Sequence, residues 1–135
     1  MRLITTDGSR YVDIGNSDIW TALYSTIVGN IKGLKRNGIK EAIEFIEVGS
    51  CKAKDGYKLA RQFNLIRDCL ASVSPTKCVF DINDKKKRCP WGKISPIVTS
   101  CANLFTTSDG GDLLFEIVSI LTYAEIAKVD VELER

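Results

Sequence analysis

Residues 113–134 read LLFEIVSILTYAEIAKVDVELE, and they change period partway along. Leu113, Leu114, Ile117, Val118, Leu121 and Ala124 recur at three and four positions, the spacing of a helix with one buried face. From Val129 the pattern becomes strict alternation. Val129, Val131 and Leu133 take every second place, and Asp130, Glu132 and Glu134 fill the others, as in a strand with one wet face. A long helix feeding such a strand points to an α+β fold. The expectation is helix-rich, with a small antiparallel or mixed sheet rather than a doubly wound parallel one. The outward charges predict an edge strand, where they would discourage pairing with other chains.

Working outward from this stretch, Thr106–Asp112 is a polar turn, and Asp112 suits a helix N-terminus through the dipole. Ser95-Pro96 predicts another helix start, with Ile97, Val98, Cys101, Leu104 and Phe105 on the buried face. Lys77–Ile82 reads as a strand, with Cys78, Phe80 and Ile82 on one side, and Asn83–Arg88 as a charged loop. Three more helices follow from apolar spacing. One runs from about Gly56 to Val73 (Leu59, Phe63, Ile66, Leu70, Val73), and one from Ile39 to Val48. The first carries Ile19, Leu23, Ile27 and Ile31, with Asn16 or Ser17 as N-cap and an end near Gly33 or Asn37-Gly38. Arg2–Thr5 and Arg10–Ile14 flank Asp7-Gly8-Ser9 and predict a hairpin. Trp20 and Trp91 read as core anchors. No linker or repeat divides the 135 residues, so a single domain over 1–135 is expected.

Composition narrows the chemistry. Histidine is absent, which removes the commonest general base and the usual partner of a nucleophilic Ser or Cys. The glycines form no phosphate loop, and Asp109-Gly110-Gly111-Asp112 is too short for a calcium loop. The five cysteines are odd in number and lack C-x-x-C spacing, so buried thiols are expected, with Cys89 the one to test for reactivity. No metal and no cofactor are expected. No apolar run is long enough to span a bilayer and no signal-peptide core opens the chain, so the cytoplasm is expected and a membrane is not.

Net charge is only +2, but residues 1–108 carry 17 basic and 10 acidic side chains, and residues 109–135 carry 2 and 7. An acidic end can meet a basic partner and speed encounter with it. The dense basic patch is Lys85-Lys86-Lys87-Arg88, followed by Trp91 and Lys93. Basic residues beside an aromatic could contact phosphates and stack on a base, which gives the alternative of a nucleic-acid-binding accessory module. An enzyme using Asp81, Asp84 or Asp109 is a third possibility, with no second cluster to complete it.

Several elements in order resemble the immunity protein 70 family. They are Cys89-Pro90-Trp91-Gly92-Lys93-Ile94, Ile97 through Asn103, Phe105-Thr106-Thr107-Ser108-Asp109-Gly110 and Asp112-Leu113-Leu114-Phe115. Ile14-Gly15-Asn16-Ser17-Asp18 and Tyr24-Ser25-Thr26-Ile27 are similar to earlier family elements, and together these span residues 12–121. Residues 35–58 depart from the pattern and would carry partner-specific positions. The resemblance implies a bacterial protein that binds a cognate toxin domain, of a polymorphic or contact-dependent inhibition system, and blocks its active site or an essential surface. It implies no enzyme activity. Nuclease toxins are one class it admits, though a chain at +2 is not a nucleic-acid mimic as a whole. Combined with the charge asymmetry, it directs attention to Asp84, Lys86, Arg88, Asp109, Asp112 and Glu116 as toxin contacts. A monomer or weak dimer is expected, with no direct nucleic-acid binding.

Overall fold

The computed structural model describes residues 1–88 and 93–135. Cys89 and Trp91, proposed above as a reactive thiol and as a core anchor or base-stacking ring, lie outside the described residues. Strands β1 (Arg2–Thr5) and β2 (Tyr11–Asp13) form the N-terminal hairpin. Helix α1 (Ser17–Asn30) follows, then one turn of α2 (Leu34–Asn37), helix α3 (Lys40–Val48) and strand β3 (Ser50–Cys51). Helices α4 (Gly56–Leu70) and α5 (Leu113–Ala127) and strand β4 (Val131–Glu134) complete the regular elements. The class is α+β, and the sheet is antiparallel throughout, in the order β2-β1-β4-β3.

That order corrects the expectation for the C-terminal strand. β4 lies between β1 and β3, and the edges are β2 and β3. Alternation along 129–134 reports that one face is buried and the other wet. A central strand of an open-faced antiparallel sheet shares that signature with an edge strand. Leu3, Thr5, Val12, Cys51 and Val131 face the core. Arg2, Ile4, Tyr11, Asp13, Ser50, Glu132 and Glu134 lie on the open face.

The helices form where their apolar faces have somewhere to go. Asn16 caps α1 by accepting from Asp18 N at 2.8 Å. α1 ends at Asn30, before the glycines that suggested its end, because Arg36 folds back and its Nε donates to Ile31 O at 2.7 Å. α3 has no cap of its own; Gln62 from α4 supplies one, accepting from Ala42 N and donating to Glu41 Oε2, both at 2.8 Å. Trp20, Phe45 and Phe63 join α1, α3 and α4 through edge-to-face contacts at 6.5 and 6.0 Å. α4 crosses α5 at Gly56, where a Cβ would stand 2.3 Å from Leu121 O.

Two expected elements are absent. Residues 77–82 form no strand. They run along α1, whose Thr26 hydroxyl accepts from Val79 N and donates to Val79 O, both at 3.1 Å. Ser25 Oγ accepts from Ile82 N at 3.0 Å, and Asn30 Nδ2 donates to Lys77 O at 3.1 Å. Polar side chains of a helix thus stand in for a neighbouring strand, and Gly29 lets Val79 approach, since a Cβ there would be 3.0 Å from Val79 Cγ2. Residues 95–105 form turns and no helix. Asn103 accepts from Thr99 N and Ser100 N and donates to Ile97 O, taking up the main-chain groups that a helix would have paired. Cys101, Leu104 and Phe105 are buried as expected, but Ile97 is 81% exposed.

Candidate functional site

The polar turn ahead of α5 is a closed loop. Thr106 bridges Asp112, Thr107 N donates to Gly111 O at 2.8 Å, and Leu113 N to Phe105 O at 3.0 Å. Inside it the buried Thr107 hydroxyl accepts from Gly111 N at 2.9 Å and donates to the Asp109 carboxylate. These bonds hold the Asp109 carboxyl below its ordinary range, the Thr107 hydroxyl first and the Gly111 amide second. Asp109 is therefore ionised and pre-positioned on an exposed turn. Asp112 has a structural duty as the N-cap of α5, accepting from Phe115 N at 3.2 Å.

The loop docks on the connection from β2 to α1. Ser108 N donates to Asp13 O at 3.0 Å, and Gly15, at φ +86°, leaves only 2.8 Å between a would-be Cβ and Ser108 Oγ. The result is an open cleft of about 370 Å³ lined by Tyr11, Val12, Asp13, Thr107, Ser108, Asp109 and Glu116. It holds three carboxylates and no basic residue. Of the expected toxin contacts, Asp109 and Glu116 meet here. Asp13 joins them, although its place in the hairpin gave no hint that a turn ninety-odd residues later would pack beside it.

The other three expected residues sit apart. Asp84 stabilises its own turn by accepting from Lys86 N at 3.1 Å, and Asp81 does the same for Asn83 N at 2.9 Å. Lys86 and Arg88 are exposed, and Arg88 donates to Lys86 O at 3.3 Å. Lys87 Nζ lies 3.1 Å from Asp18 Oδ1, which ties this basic loop to the start of α1. Asp81 and Asp84 do not join Asp109 in one pocket. Among the described residues no group of three or more Cys, Asp and Glu is arranged to hold a metal ion, and no helix is long and apolar enough to cross a membrane.

A second cleft, of about 350 Å³, opens at the far edge of the sheet between α3, β3, α4 and β4. Glu41, Glu44, Asp55, Asp130 and Glu132 line it, with Lys52 and Lys58. Lys52 pairs with Asp130 at 3.4 Å and Lys58 with Glu41 at 3.5 Å, so both cations are already matched. Sequence reasoning missed this cleft as a unit, yet five of its charged residues fall in the 35–58 stretch that departs from the family pattern. Below it the Cys51 thiol is pushed up to about 11, by burial first and then by Asp55, Asp130 and Glu125.

The open sheet face connects the two clefts. Glu132 pairs across to Ile4 and Ile4 to Tyr11; Glu134 pairs to Arg2 and Arg2 to Asp13. Arg2 is matched to Glu134 at 2.7 Å and lies 5.4 Å from the Tyr11 ring centre. Along the two clefts and this face stand nine of the chain's 17 acidic residues and three of its 19 basic ones. A chain that is basic overall thus presents one acidic band, and the Lys85–Arg88 loop is not part of it.

The family model described as immunity protein 70 matches residues 5–133. No curated protein and no solved structure matches the chain.

Proposed function

Since the chain belongs to the immunity protein 70 family, we propose that it neutralises a cognate bacterial toxin domain by stoichiometric binding, covering the toxin's active site or an essential surface. The family supports the role, and the acidic band supports the surface. A band with nine carboxylates and no unmatched base favours a partner whose contact surface is basic, and complementary charge of this kind raises the association rate. The phosphate-binding surface of a nuclease has that character. The cleft of Asp13, Asp109 and Glu116 is the centre of the proposed contact, because its charges are uncompensated and the Asp109 turn is fixed before binding. In this reading the protein acts in the cytoplasm of a cell exposed to a polymorphic or contact-dependent inhibition toxin, without turnover and without a cofactor.

Co-expression with the toxin domain tests the role. Growth should be rescued and the two chains should co-purify. Failure of both would refute the role. The surface is tested by the salt dependence of the complex, whose association rate should fall steeply as ionic strength rises.

A further inference from the structure

The two edges of the sheet differ in what they offer a partner. At β3, Leu133 N donates to Gly49 O at 2.7 Å, and Ser50 pairs with Glu132 and Cys51 with Val131. Bonded and non-bonded pairs alternate along an antiparallel ladder, so within β3 Ser50 alone turns its N–H and C=O outward. Just beyond it, Lys52 O is taken by Asp55 N. That edge is blunt.

At β2, Thr5 N donates to Arg10 O and Ile14 N to Met1 O, on either side of the Leu3–Val12 pair. The same alternation turns the main chains of Tyr11 and Asp13 outward. Asp13 C=O accepts from Ser108 N at 3.0 Å, so a segment of chain already bonds to this edge. The N–H groups of Tyr11 and Asp13 and the C=O of Tyr11 have no partner among the described residues. They open beside the cleft of Asp13, Asp109 and Glu116, which contains no Lys or Arg.

We propose that β2 receives a further strand, an extended segment of the toxin domain that pairs with the main chain of Tyr11 and sets a Lys or Arg side chain among Asp13, Asp109 and Glu116. The inference rests on the toxin-binding reading and adds the mode of contact. Main-chain pairing supplies affinity, and the alternate side chain that enters the cleft supplies selectivity. Charge decides the occupant, since an acidic or apolar segment would leave three carboxylates unmatched or desolvated.

Amide hydrogen exchange on the wild-type chain, free and saturated with toxin domain, tests this directly. The Tyr11 amide should slow by about tenfold or more in the complex, as one new main-chain bond requires. Tyr11→Pro removes that donor without touching the ladder, because proline is tolerated on an edge strand whose N–H faces solvent. It should weaken binding by about tenfold, and Tyr11→Thr, which loses the same ring but keeps the amide, should bind more tightly than Y11P. A complex in which the Tyr11 amide is not slowed, or a folded Y11P chain that binds normally, overturns strand addition and leaves toxin binding standing. No complex with the wild-type chain would overturn both.

Discussion

In the helix pair α4–α5 the helical ladder carries most of the main-chain bonding, and side chains assist at the helix starts, where Glu125 accepts from Tyr57 N and Asp112 from Phe115 N. Leu59, Phe63, Ile66 and Leu70 share one buried core with Leu114, Ile117 and Leu121. In the described segments 78–88 and 93–112 side chains take a much larger share of the main-chain bonding. Cys101, Leu104 and Phe105 are as buried as any helix residue; Cys101 N reaches Val73 O and Phe105 O accepts from Leu113 N. Ser25 and Thr26 bond the main chain at Ile82 and Val79, and Asn103 bonds it at Ile97, Thr99 and Ser100. The lesson is that burial of apolar residues does not require a regular element. It requires that every buried N–H and C=O find a partner, and hydroxyls or amides can supply one.

The largest effect is expected in the regular half. Phe63→Ala empties the centre of the aromatic chain and should cost about 3–5 kcal/mol in urea unfolding. Thr26→Val keeps volume but leaves Val79 N–H and C=O without their hydroxyl, for about 1–3 kcal/mol. Its signature should be local. Amide exchange should quicken around residues 78–82 while α4 and α5 keep their protection, and uniform loosening would contradict the division drawn above. Asn103→Ala should cost about 1 kcal/mol and act the same way on Thr99 and Ser100.

The smallest effect concerns two thiols, Cys51 in β3 and Cys101 in the irregular segment. Burial raises Cys51 and Cys101 to about 11 from an ordinary value of 9.0. A group held protonated by the fold stabilises it below the unfolded value and loses that contribution as pH rises, so stability should decline between about pH 9 and 11. Near neutral pH both thiols should resist alkylation equally. Faster labelling of Cys101 would show that the irregular segment opens locally.

These two regions also explain what the sequence made legible. Helical spacing was decisive for α1, α3, α4 and α5, because each buries one stripe against a broad partner. The same spacing at Ile97, Val98 and Cys101 misled, since a side chain such as Asn103 can take main-chain bonds and spacing does not reveal it. Alternation at 77–82 misled as well: Cys78, Val79 and Phe80 are all half-buried and Ile82 is exposed, and a helix's hydroxyls, not a neighbouring strand, bond the main chain. In the site, Asp109 and Glu116 were visible as acids near a turn and a helix start. Asp13 and the Glu41–Glu132 cleft were not, because those groupings arise from contacts between residues far apart in the chain.

We propose that the acidic cleft, and not the basic loop, meets the toxin. The direct measurement is the Kd of the toxin domain for Asp109→Lys/Glu116→Lys beside Lys85→Glu/Lys86→Glu, at one fixed ionic strength. The acidic-cleft variant should bind about tenfold or more weakly, mainly through slower association, and the basic-loop variant should bind at least as tightly as the wild type. Loss of binding in the basic-loop variant alone would contradict the account.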